Sequence, residues 1–366
     1  MPYKILSINP GSTSTKIAVY EDAKCLFVEN MSHKAEELTP FSNLLDQFDL
    51  RKRYVEKSVK EHAVELTELA AVVGRGGMLR PMQGGGYLVT TEMINELRSE
   101  NTQPHASNLG AIIAWSIAEP LGIPAYIYDA VSSDEFKDIA HITGIPGILR
   151  ESFCHVLNAK ASARKAAGKM GVNYREKNFI VAHLGGGISV SVHEKGRIVD
   201  AIQADGGPFS TERAGSVPLH YIVDLCYSGK YTQKELFSVL NTNGGLKGLL
   251  GTNDCRVIEQ RIADGDEYAR NIFEAEAYQI AKGIGEMYPV LCGDIDAIIL
   301  TGGMAYSDFI TSAVTGRVKK LAPVIVIPGE NEMESLTLGA LRILKGEENY
   351  STYTKDVRDR CNMANN

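Results

Sequence analysis

Residues 8–20 read INPGSTSTKIAVY, and residues 182–193 read AHLGGGISVSVH. The two segments have the same three parts: the end of an apolar run, a turn that contains glycine, and a stretch in which apolar and polar residues alternate. A buried strand that turns into an alternating strand indicates a β-hairpin. Two such hairpins in one chain predict a duplicated domain.

The composition fits a globular protein of about two domains. The chain has 366 residues, 44% hydrophobic and 23% charged, and a domain averages roughly 150 residues. Its formal charge of −7 predicts no nucleic-acid partner and no anionic-membrane partner, because no basic face is needed to explain it. The densest basic run, residues 51–53 (RKR), falls in a helical pattern and is predicted to face solvent.

The sequence also indicates where the protein is located and whether its cysteines are spaced to bind a metal. No apolar run approaches the roughly 20 residues that cross a membrane. The first residues open directly into a strand pattern instead of a signal peptide, so we expect a cytoplasmic protein. The six cysteines, Cys361 among them, show no CxxC or Cys/His ligand spacing.

Strands and helices alternate beyond the hairpins, which predicts an α/β fold. Strands are predicted at 3–8, 15–20, 25–28, 69–73, 125–128, 179–183, 188–192, 295–300 and 323–327. Helices are predicted at 41–62, 107–121, 151–168 and 332–344. We expect the last helix to return to the first domain. The predicted domains are therefore 1–148 plus 337–366, and 149–336, which would carry the nucleotide site.

Three glycine-bearing turns adjoin predicted strands, at residues 9–14, 185–187 and 301–303. Glycine lets backbone amides approach phosphate oxygens without a Cβ in the way. None of the turns has the spacing of a Walker loop or of GxGxxG, and each alone is more simply a hairpin turn. Together, at corresponding places in two copies, they favour a triphosphate lying across a cleft between the domains.

A polar loop at residues 205–215 (DGGPFSTERAG) contains Arg213. Phosphoryl transfer spreads negative charge over the equatorial oxygens of the transferred group, which an arginine on a loop can stabilise. The alternative is a surface loop in which Arg213 pairs with Glu212 or Asp205. The sequence leaves both interpretations open.

Carboxylates and histidines at element ends are further candidates. Asp129 follows a strand, and Glu330 and Glu332 precede the last helix. Mg²⁺ takes one or two carboxylates together with phosphate oxygens and water. The alternative role for Glu332 is to stabilise the last helix, because a negative charge at a helix N-terminus interacts favourably with the helix dipole. His105 falls in a loop and His155 early in a helix, where a single histidine is more often structural.

At these residues the chain resembles the acetate/butyrate kinase family. The family segment N-x-G-[ST]-[ST]-S-x-K is matched by Asn9, Gly11, Ser12, Ser14 and Lys16. The resemblance runs from residue 8 to residue 332, nearly the whole chain. It implies two duplicated actin-like (ribonuclease H-like) domains with an interdomain nucleotide cleft, ATP/ADP and Mg²⁺ as cofactors, and a homo-oligomer.

The resemblance also implies roles for individual residues. Catalytic or substrate contacts are implied for Asn9, Arg75, His105 (beside Asn108), Asp129, His155 and Arg213, and Mg²⁺ contacts for Asp129 and Glu332. Nucleotide contacts are implied for Ser12, Ser14, Lys16, His183, Gly185, Gly187, Asn253, Asp254, Cys255, Arg256, Gly302 and Gly303.

Departures from the acetate-type pattern concern the acceptor. Acetate kinases have R-V-V-H-G-G where residues 72–77 read VVGRGG, so Arg75 takes the histidine position. The acetate-type G-F-H-G-T-S-H keeps only His155, and Gly186 replaces the asparagine of H-L-G-N-G. Gly74 stands where acetate kinases carry valine, which predicts room for a longer acyl chain. These departures favour butanoate over acetate.

The expected reaction is butanoate + ATP ⇌ butanoyl phosphate + ADP. A carboxylic acid has a pKa of about 4–5, so at neutral pH the acceptor is already an anion and needs no general base. The alternatives are a branched-chain carboxylate as acceptor, a sugar or polyol kinase in which Asp129 acts on a hydroxyl, and a nucleotide switch whose output is domain closure.

Overall fold

Two compact units make up the computed structural model, which describes residues 2–354. Among the described residues, unit 1 comprises residues 2–134, 143–149 and 331–354. Unit 2 comprises residues 135–142 and 150–330. The predicted return of residues 355–366 to the first domain, and Cys361, lie outside the described residues.

Strands and helices alternate along the chain. The strands are β1 (Lys4–Pro10), β2 (Ser14–Glu21), β3 (Lys24–Ser32), β4 (Leu69–Arg75), β5 (Gly86–Leu88), β6 (Ala125–Tyr128), β7 (Asn178–Leu184), β8 (Ile188–Glu194), β9 (Arg197–Ile202), β10 (Ala297–Gly302), β11 (Val324–Pro328) and β12 (Ser351–Thr352). The helices are α1 (Ala35–Leu38), α2 (Phe48–Glu61), α3 (Thr91–Leu97), α4 (Asn108–Ala118), α5 (Val156–Lys169), α6 (Leu219–Tyr227), α7 (Gln233–Asn241), α8 (Gly245–Leu250), α9 (Cys255–Ala263), α10 (Glu267–Met287), α11 (Asp308–Val318) and α12 (Glu332–Leu344).

Unit 1 is a sheet with the strand order β12-β5-β6-β4-β1-β2-β3. Its first three strands form an antiparallel meander, and β4 and β6 then run parallel to β1. Alternate residues of β1 face opposite sides: Leu6 and Ile8 join the core that contains helices α2, α3 and α4, whereas the hydroxyl of Ser7 bonds that of Thr337 in α12 at 2.6 Å.

Unit 2 repeats this plan with the order β11-β10-β7-β8-β9. A meander of β7, β8 and β9 is extended on the far side of β7 by the parallel strands β10 and β11. Helix α5 packs its alanines on the face that carries Val181 and Ile299, and α10 covers the opposite face through Ile280 and its neighbours. The predicted α/β fold with duplicated hairpins is confirmed.

Two predicted helices begin later than the sequence pattern indicates. The segment predicted to be helical from residue 41 first forms a 3₁₀ turn, Leu44–Gln47, capped by the side chain of Asn43, before α2 starts. Helix α5 starts at Val156 rather than at residue 151. The preceding segment is held away from the helix because the side chains of Gln203 and Ser189 bind the backbone of Glu151 and His155, respectively.

Within residues 2–354, no helix combines the length and the apolar character that a membrane span requires. No disulfide bond joins the cysteines of this part of the chain.

Candidate active site

The carboxyl ends of three neighbouring strands in unit 1 gather the first group of candidate residues. The parallel pairing sets Ile8 opposite Gly74 and Arg75 opposite Tyr128. Asn9 near the end of β1, Arg75 at the end of β4 and Asp129 just after β6 therefore lie at neighbouring strand ends, which is where open α/β sheets bind ligands.

Arg75, Asn9 and Glu332 form a hydrogen-bonded cluster. Nη1 of Arg75 donates to Oε1 of Glu332 at 3.1 Å and to Oδ1 of Asn9 at 3.4 Å. The side-chain amide of Asn9 donates to the other carboxylate oxygen of Glu332 at 2.5 Å. Nε of Arg75 is buried and makes no hydrogen bond with any described residue. The cluster thus holds a guanidinium with donor capacity to spare.

Asp129 takes a left-handed backbone conformation, with φ of 44°. Its carboxylate accepts a hydrogen bond from the amide of Gly85 at 2.8 Å, and its own amide donates to the carbonyl of Gly85 at 3.0 Å. This reciprocal pair fixes the residue after β6, so its carboxylate is presented in one orientation.

His105 precedes α4 and is uncharged at neutral pH. Partial removal from water, and then the positive charge of Arg75, lower the pKa of His105 below its usual 6.5. Its Nδ1 accepts a hydrogen bond from the amide of Ser107 at 3.2 Å, so the neutral ring carries its proton on Nε2. The neighbouring Asn108 is used structurally, since its side chain bonds the backbone of Met78 and Gln103.

Gly74 does not leave room for an acyl chain, so the prediction made from the sequence is wrong. A Cβ at Gly74 would lie 2.2 Å from the carbonyl oxygen of Gly110 in α4. Gly110 is equally constrained, since its own Cβ would lie 2.4 Å from the carbonyl oxygen of Arg75. The two glycines let β4 and α4 pack backbone to backbone, so the space beside Gly74 is already filled by protein.

The turn after β1 contradicts a second expectation, that residues 51–53 face solvent. Arg51 is fully buried, while Arg53, two residues along, is exposed. The guanidinium of Arg51 binds carbonyl oxygens of the turn that carries Ser12 and Ser14. The run of charged residues alone does not indicate that Arg51 is buried, because the groups that bind Arg51 are backbone carbonyls 37 to 40 residues away in the sequence.

In unit 2, the end of β7 brings two imidazoles together. The rings of His155 and His183 stack with centroids 3.9 Å apart. Nδ1 of His183 lies 2.7 Å from the side-chain amide of Asn158, and Nδ1 of His155 lies 2.9 Å from the hydroxyl of Ser189. His155 is the residue before α5 rather than a residue within it, and sequence reasoning missed Asn158 and Ser189.

Arg213 lies against the second glycine turn. A Cβ on Gly187 would come within 2.9 Å of Nε of Arg213, so a side chain at this position would displace the guanidinium. The hydroxyl of Ser210 donates to the carbonyl of Gly186 at 2.6 Å and accepts from the amide of Arg213 at 3.0 Å. No carboxylate of the described chain forms an ion pair with Arg213; Glu212 instead accepts a hydrogen bond from Asn253.

The residues assigned to adenosine occupy two places in unit 2. Asp254 caps α9, and the side-chain hydrogen bond from Arg256 lowers the pKa of Asp254 to about 2. Burial raises the pKa of Cys255 to about 12, which keeps this thiol protonated. At the end of β10, Gly302 has φ of 92° and exchanges backbone hydrogen bonds with Gly329, while Gly303 has open space around it.

The remaining candidates in the first turn are accessible. Ser12 lies on the loop and is exposed, whereas Ser14 and Lys16 lie on β2 and are half-buried. Gly185 lies beside the ring of His183. Unit 1 therefore assembles Asn9, the first turn, Arg75, Asp129 and Glu332, and unit 2 assembles its histidine pair, its glycine turn and Arg213.

Comparison with known proteins gives a family for this chain. A model described as the acetokinase family matches residues 148–325. Proteins named "Probable butyrate kinase" from Listeria monocytogenes serotype 4a (strain HCC23) and from Clostridium botulinum (strain Alaska E43 / Type E3) are each 46% identical over 355 residues, which is 96% of this chain and 100% of theirs.

Solved structures show the same fold at low identity. The crystal structure of Porphyromonas gingivalis acetate kinase has a TM-score of 0.76 at 19% identity and covers 93% of this chain and 100% of that one. Acetate kinase from Entamoeba histolytica gives 0.72 at 19%, covering 92% and 98%. A ROK family protein from Streptococcus pneumoniae gives 0.51 at 14%, covering 94% and 100%.

Proposed function

The chain belongs to the acetokinase family, and from that premise we propose that it is a butyrate kinase, which transfers the γ-phosphoryl group of ATP to butanoate. The observation that carries the proposal is the 46% identity, over 100% of their length, to relatives named as butyrate kinases. The grouping of Asn9, Arg75 and Asp129 at strand ends supports it, because these groups suit an anionic acceptor and a phosphoryl group.

Transfer requires one bond to form and one to break. A carboxylate oxygen of butanoate attacks the γ-phosphorus, the bond from that phosphorus to the β–γ bridging oxygen breaks, and ADP leaves with the electron pair. No proton moves, since the acceptor is already an anion. The protein therefore acts by positioning and by stabilising charge.

Arg75 and Arg213 are the proposed positive groups for this chemistry. Arg75 has a buried Nε without a partner in the described chain, and Arg213 has no carboxylate partner there. His105 is uncharged with its proton on Nε2, so it is suited to donate a hydrogen bond to an oxygen anion without giving up that proton. His155 and His183 are proposed to contact phosphate oxygens in unit 2.

The nucleotide is proposed to be bound through the glycine turns and their neighbours. Ser12, Ser14 and Lys16 supply hydroxyls and a positive charge in the first turn. In unit 2, His183, Gly185 and Gly187 would contact phosphates, and Asn253, Asp254, Cys255, Arg256, Gly302 and Gly303 would surround adenosine. An interdomain position for the nucleotide stays a prediction.

The carboxylates fit Mg²⁺ in the manner expected of a phosphate-bound ion. No group of three or more His, Cys, Asp or Glu side chains suited to a metal occurs among residues 2–354, and Mg²⁺ in kinases needs only one or two carboxylates, with phosphate oxygens and water completing its shell. Asp129 and Glu332 are the proposed ligands, with Glu332 acting through water because Asn9 and Arg75 occupy both of its oxygens. When bound, Mg²⁺ would neutralise charge on the phosphates.

A homo-oligomer is also proposed, from the family resemblance. Helix α6 has no buried residue and exposes Leu219, Tyr221, Val223 and Tyr227, which supports self-association. Light scattering of the purified protein tests this, and a monomer at micromolar concentration would contradict it.

A hydroxamate assay tests the reaction. The protein is incubated with ATP, Mg²⁺ and straight or branched carboxylates from C2 to C5, and acyl phosphate is trapped with hydroxylamine. We expect the highest rate with butanoate and none after chelation of Mg²⁺. A maximum with a branched acid would rename the acceptor, and phosphorylation of sugars without reaction of any acid would refute the proposal.

A further inference from the structure

The turn after β1 is held by one side chain from another element. The guanidinium of Arg51, in α2, donates from Nη1 to the carbonyl oxygens of Gly11 and Ser14, both at 2.8 Å, and from Nη2 to that of Ser12 at 2.9 Å. The one remaining carbonyl of the turn accepts from the amide of His33 at 2.8 Å. All four carbonyls are therefore engaged by protein.

Fixing a carbonyl also fixes the amide that follows it. A peptide group is planar and trans, so its C=O and N–H point in opposite directions. The carbonyls of Gly11 and Ser12 point toward Arg51, so the amides of Ser12 and Thr13 point away from it. Neither amide forms a hydrogen bond with a residue of the described chain. Successive outward amides of this kind form an anion-binding concavity.

The charge of Arg51 is itself uncompensated. Its other partners are the side chains of Gln47 and Thr15, and no carboxylate in residues 2–354 pairs with it. Burial lowers the pKa of Arg51 to about 10, which leaves it protonated at neutral pH. Burial and then the charge of Arg51 lower the pKa of the nearby His33, so that ring adds no second charge. A buried, hydrogen-bonded cation without a counter-ion favours an anion nearby.

We propose that Arg51 is the positioning residue of the phosphate turn: it orients the amides of Ser12 and Thr13 toward a phosphate group of the nucleotide. It touches the turn rather than the substrate. The inference rests on the proposed kinase function and adds a residue that the family motif does not contain.

The test compares Arg51→Lys and Arg51→Met with Arg53→Met, a matched control two residues along the same helix. Circular dichroism and thermal melting check folding, and kcat and the KM values for ATP and butanoate are measured separately. We expect kcat/KM for ATP to fall on the order of 100-fold in Arg51→Met, with the KM for butanoate unchanged. The kcat/KM of Arg51→Lys for ATP should lie between those of Arg51→Met and the wild type, because lysine keeps the charge but lacks the planar set of donors of the guanidinium. The kcat/KM of Arg53→Met should match that of the wild type.

A binding measurement keeps this inference separate from the proposed function. If the wild type forms no acyl hydroxamate, the proposed reaction is wrong, but titration calorimetry with ATP still compares the variants. If Arg51→Met does not fold, the variant Gln47→Ala tests the inference instead. It removes the side-chain oxygen that accepts hydrogen bonds from the guanidinium of Arg51 and leaves the charge of Arg51 in place. Folded variants at Arg51 or Gln47 with wild-type ATP affinity and kinetics would overturn the inference.

Discussion

The guanidinium of Arg75 lies 3.1 Å from the carboxylate of Glu332, although 257 residues separate them in the chain. Both residues also bond Asn9. The end of β4, the end of β1 and the start of α12 are thereby joined through side chains. A group joined in this way is expected to respond to mutation as one unit rather than as independent residues.

Arg75→Met and Glu332→Gln test this coupling. Each single variant should lower kcat on the order of 100-fold, because a guanidinium or its orienting carboxylate is lost from a site that works by positioning. The loss in the double variant should be smaller than the product of the two single losses, since each single variant removes the interaction between Arg75 and Glu332. A double-mutant cycle of hydroxamate rates measures the coupling, and losses that simply multiply would show that Arg75 and Glu332 act separately.

Arg213→Ala should abolish activity in both directions while leaving the fold intact. The expected loss is on the order of 1,000-fold or more, as for other arginines that stabilise a transferring phosphoryl group. The loop itself should persist, because its anchors are the hydroxyl of Ser210 and backbone groups. Hydroxamate formation and ATP formation from butanoyl phosphate give the two rates.

Arg270→Ala is the control for that loss. Arg270 lies on α10, and within residues 2–354 its ion pair is with Glu267, three residues earlier. Its removal should leave both rates near wild type. Near-normal activity of Arg213→Ala would exclude the proposed role of this residue.

The hairpins and the alternation of elements were predictable from the sequence because they depend on local periodicity. Strand β6 and helix α12 have the predicted bounds, since a strand bordered by proline and a helix opened by glutamates are marked by adjacent residues. Helix α5 starts five residues later than predicted because the side chains that hold residues 151–155 come from Ser189 and Gln203. Periodicity carries no information about such distant partners.

The same limit explains what was missed at the site. In the sequence, Arg51 is one residue of a charged run that predicts solvent exposure. It is buried because carbonyl oxygens of the turn after β1 accept hydrogen bonds from its guanidinium. Because glycine lacks a side chain, the sequence predicts open space beside Gly74, whereas the role of Gly74 depends on Gly110 in α4. Motif residues such as Asn9 and Arg213 were identifiable, and their hydrogen-bond partners were not.

Gly74→Ala should destabilise the protein without changing its acyl preference. The new Cβ would meet the backbone of α4 at 2.2 Å, and backbone cannot move aside as a flexible side chain can. Overpacking typically costs about 1–3 kcal/mol, and we expect the upper end of this range because backbone has to move. Chemical denaturation measures the change, and the hydroxamate panel measures the preference.

Gly168→Ala is the matched control for Gly74→Ala. Gly168 lies near the end of α5, where a Cβ would meet nothing within 4 Å. Alanine there should stabilise the protein by about 0.5–1 kcal/mol, because it restricts the unfolded chain and favours helix. A Gly74→Ala variant as stable as wild type, with a shift toward shorter acids, would restore the interpretation of Gly74 as acyl space.

Glu276→Gln should increase stability, and the gain should grow with pH. The side chain of Glu276 in α10 is fully buried, and its carboxyl oxygens make no hydrogen bond with any described residue. Burial raises the pKa of Glu276 well above its usual 4.5. The folded protein therefore keeps a proton that the unfolded chain releases above pH 4.5, and stability falls as pH rises from there through the folded pKa.

Glutamine cannot ionise, so the stability of Glu276→Gln does not fall as the pH rises in this way. Its advantage over wild type should increase by about 1.4 kcal/mol per pH unit within that window. Urea denaturation between pH 5 and pH 8 measures it, with Glu274→Gln, an exposed position on the same helix, as the control that should show no such slope. Parallel stability curves for wild type and Glu276→Gln would mean that Glu276 is ionised in the folded protein and has a counter-charge that compensates its burial.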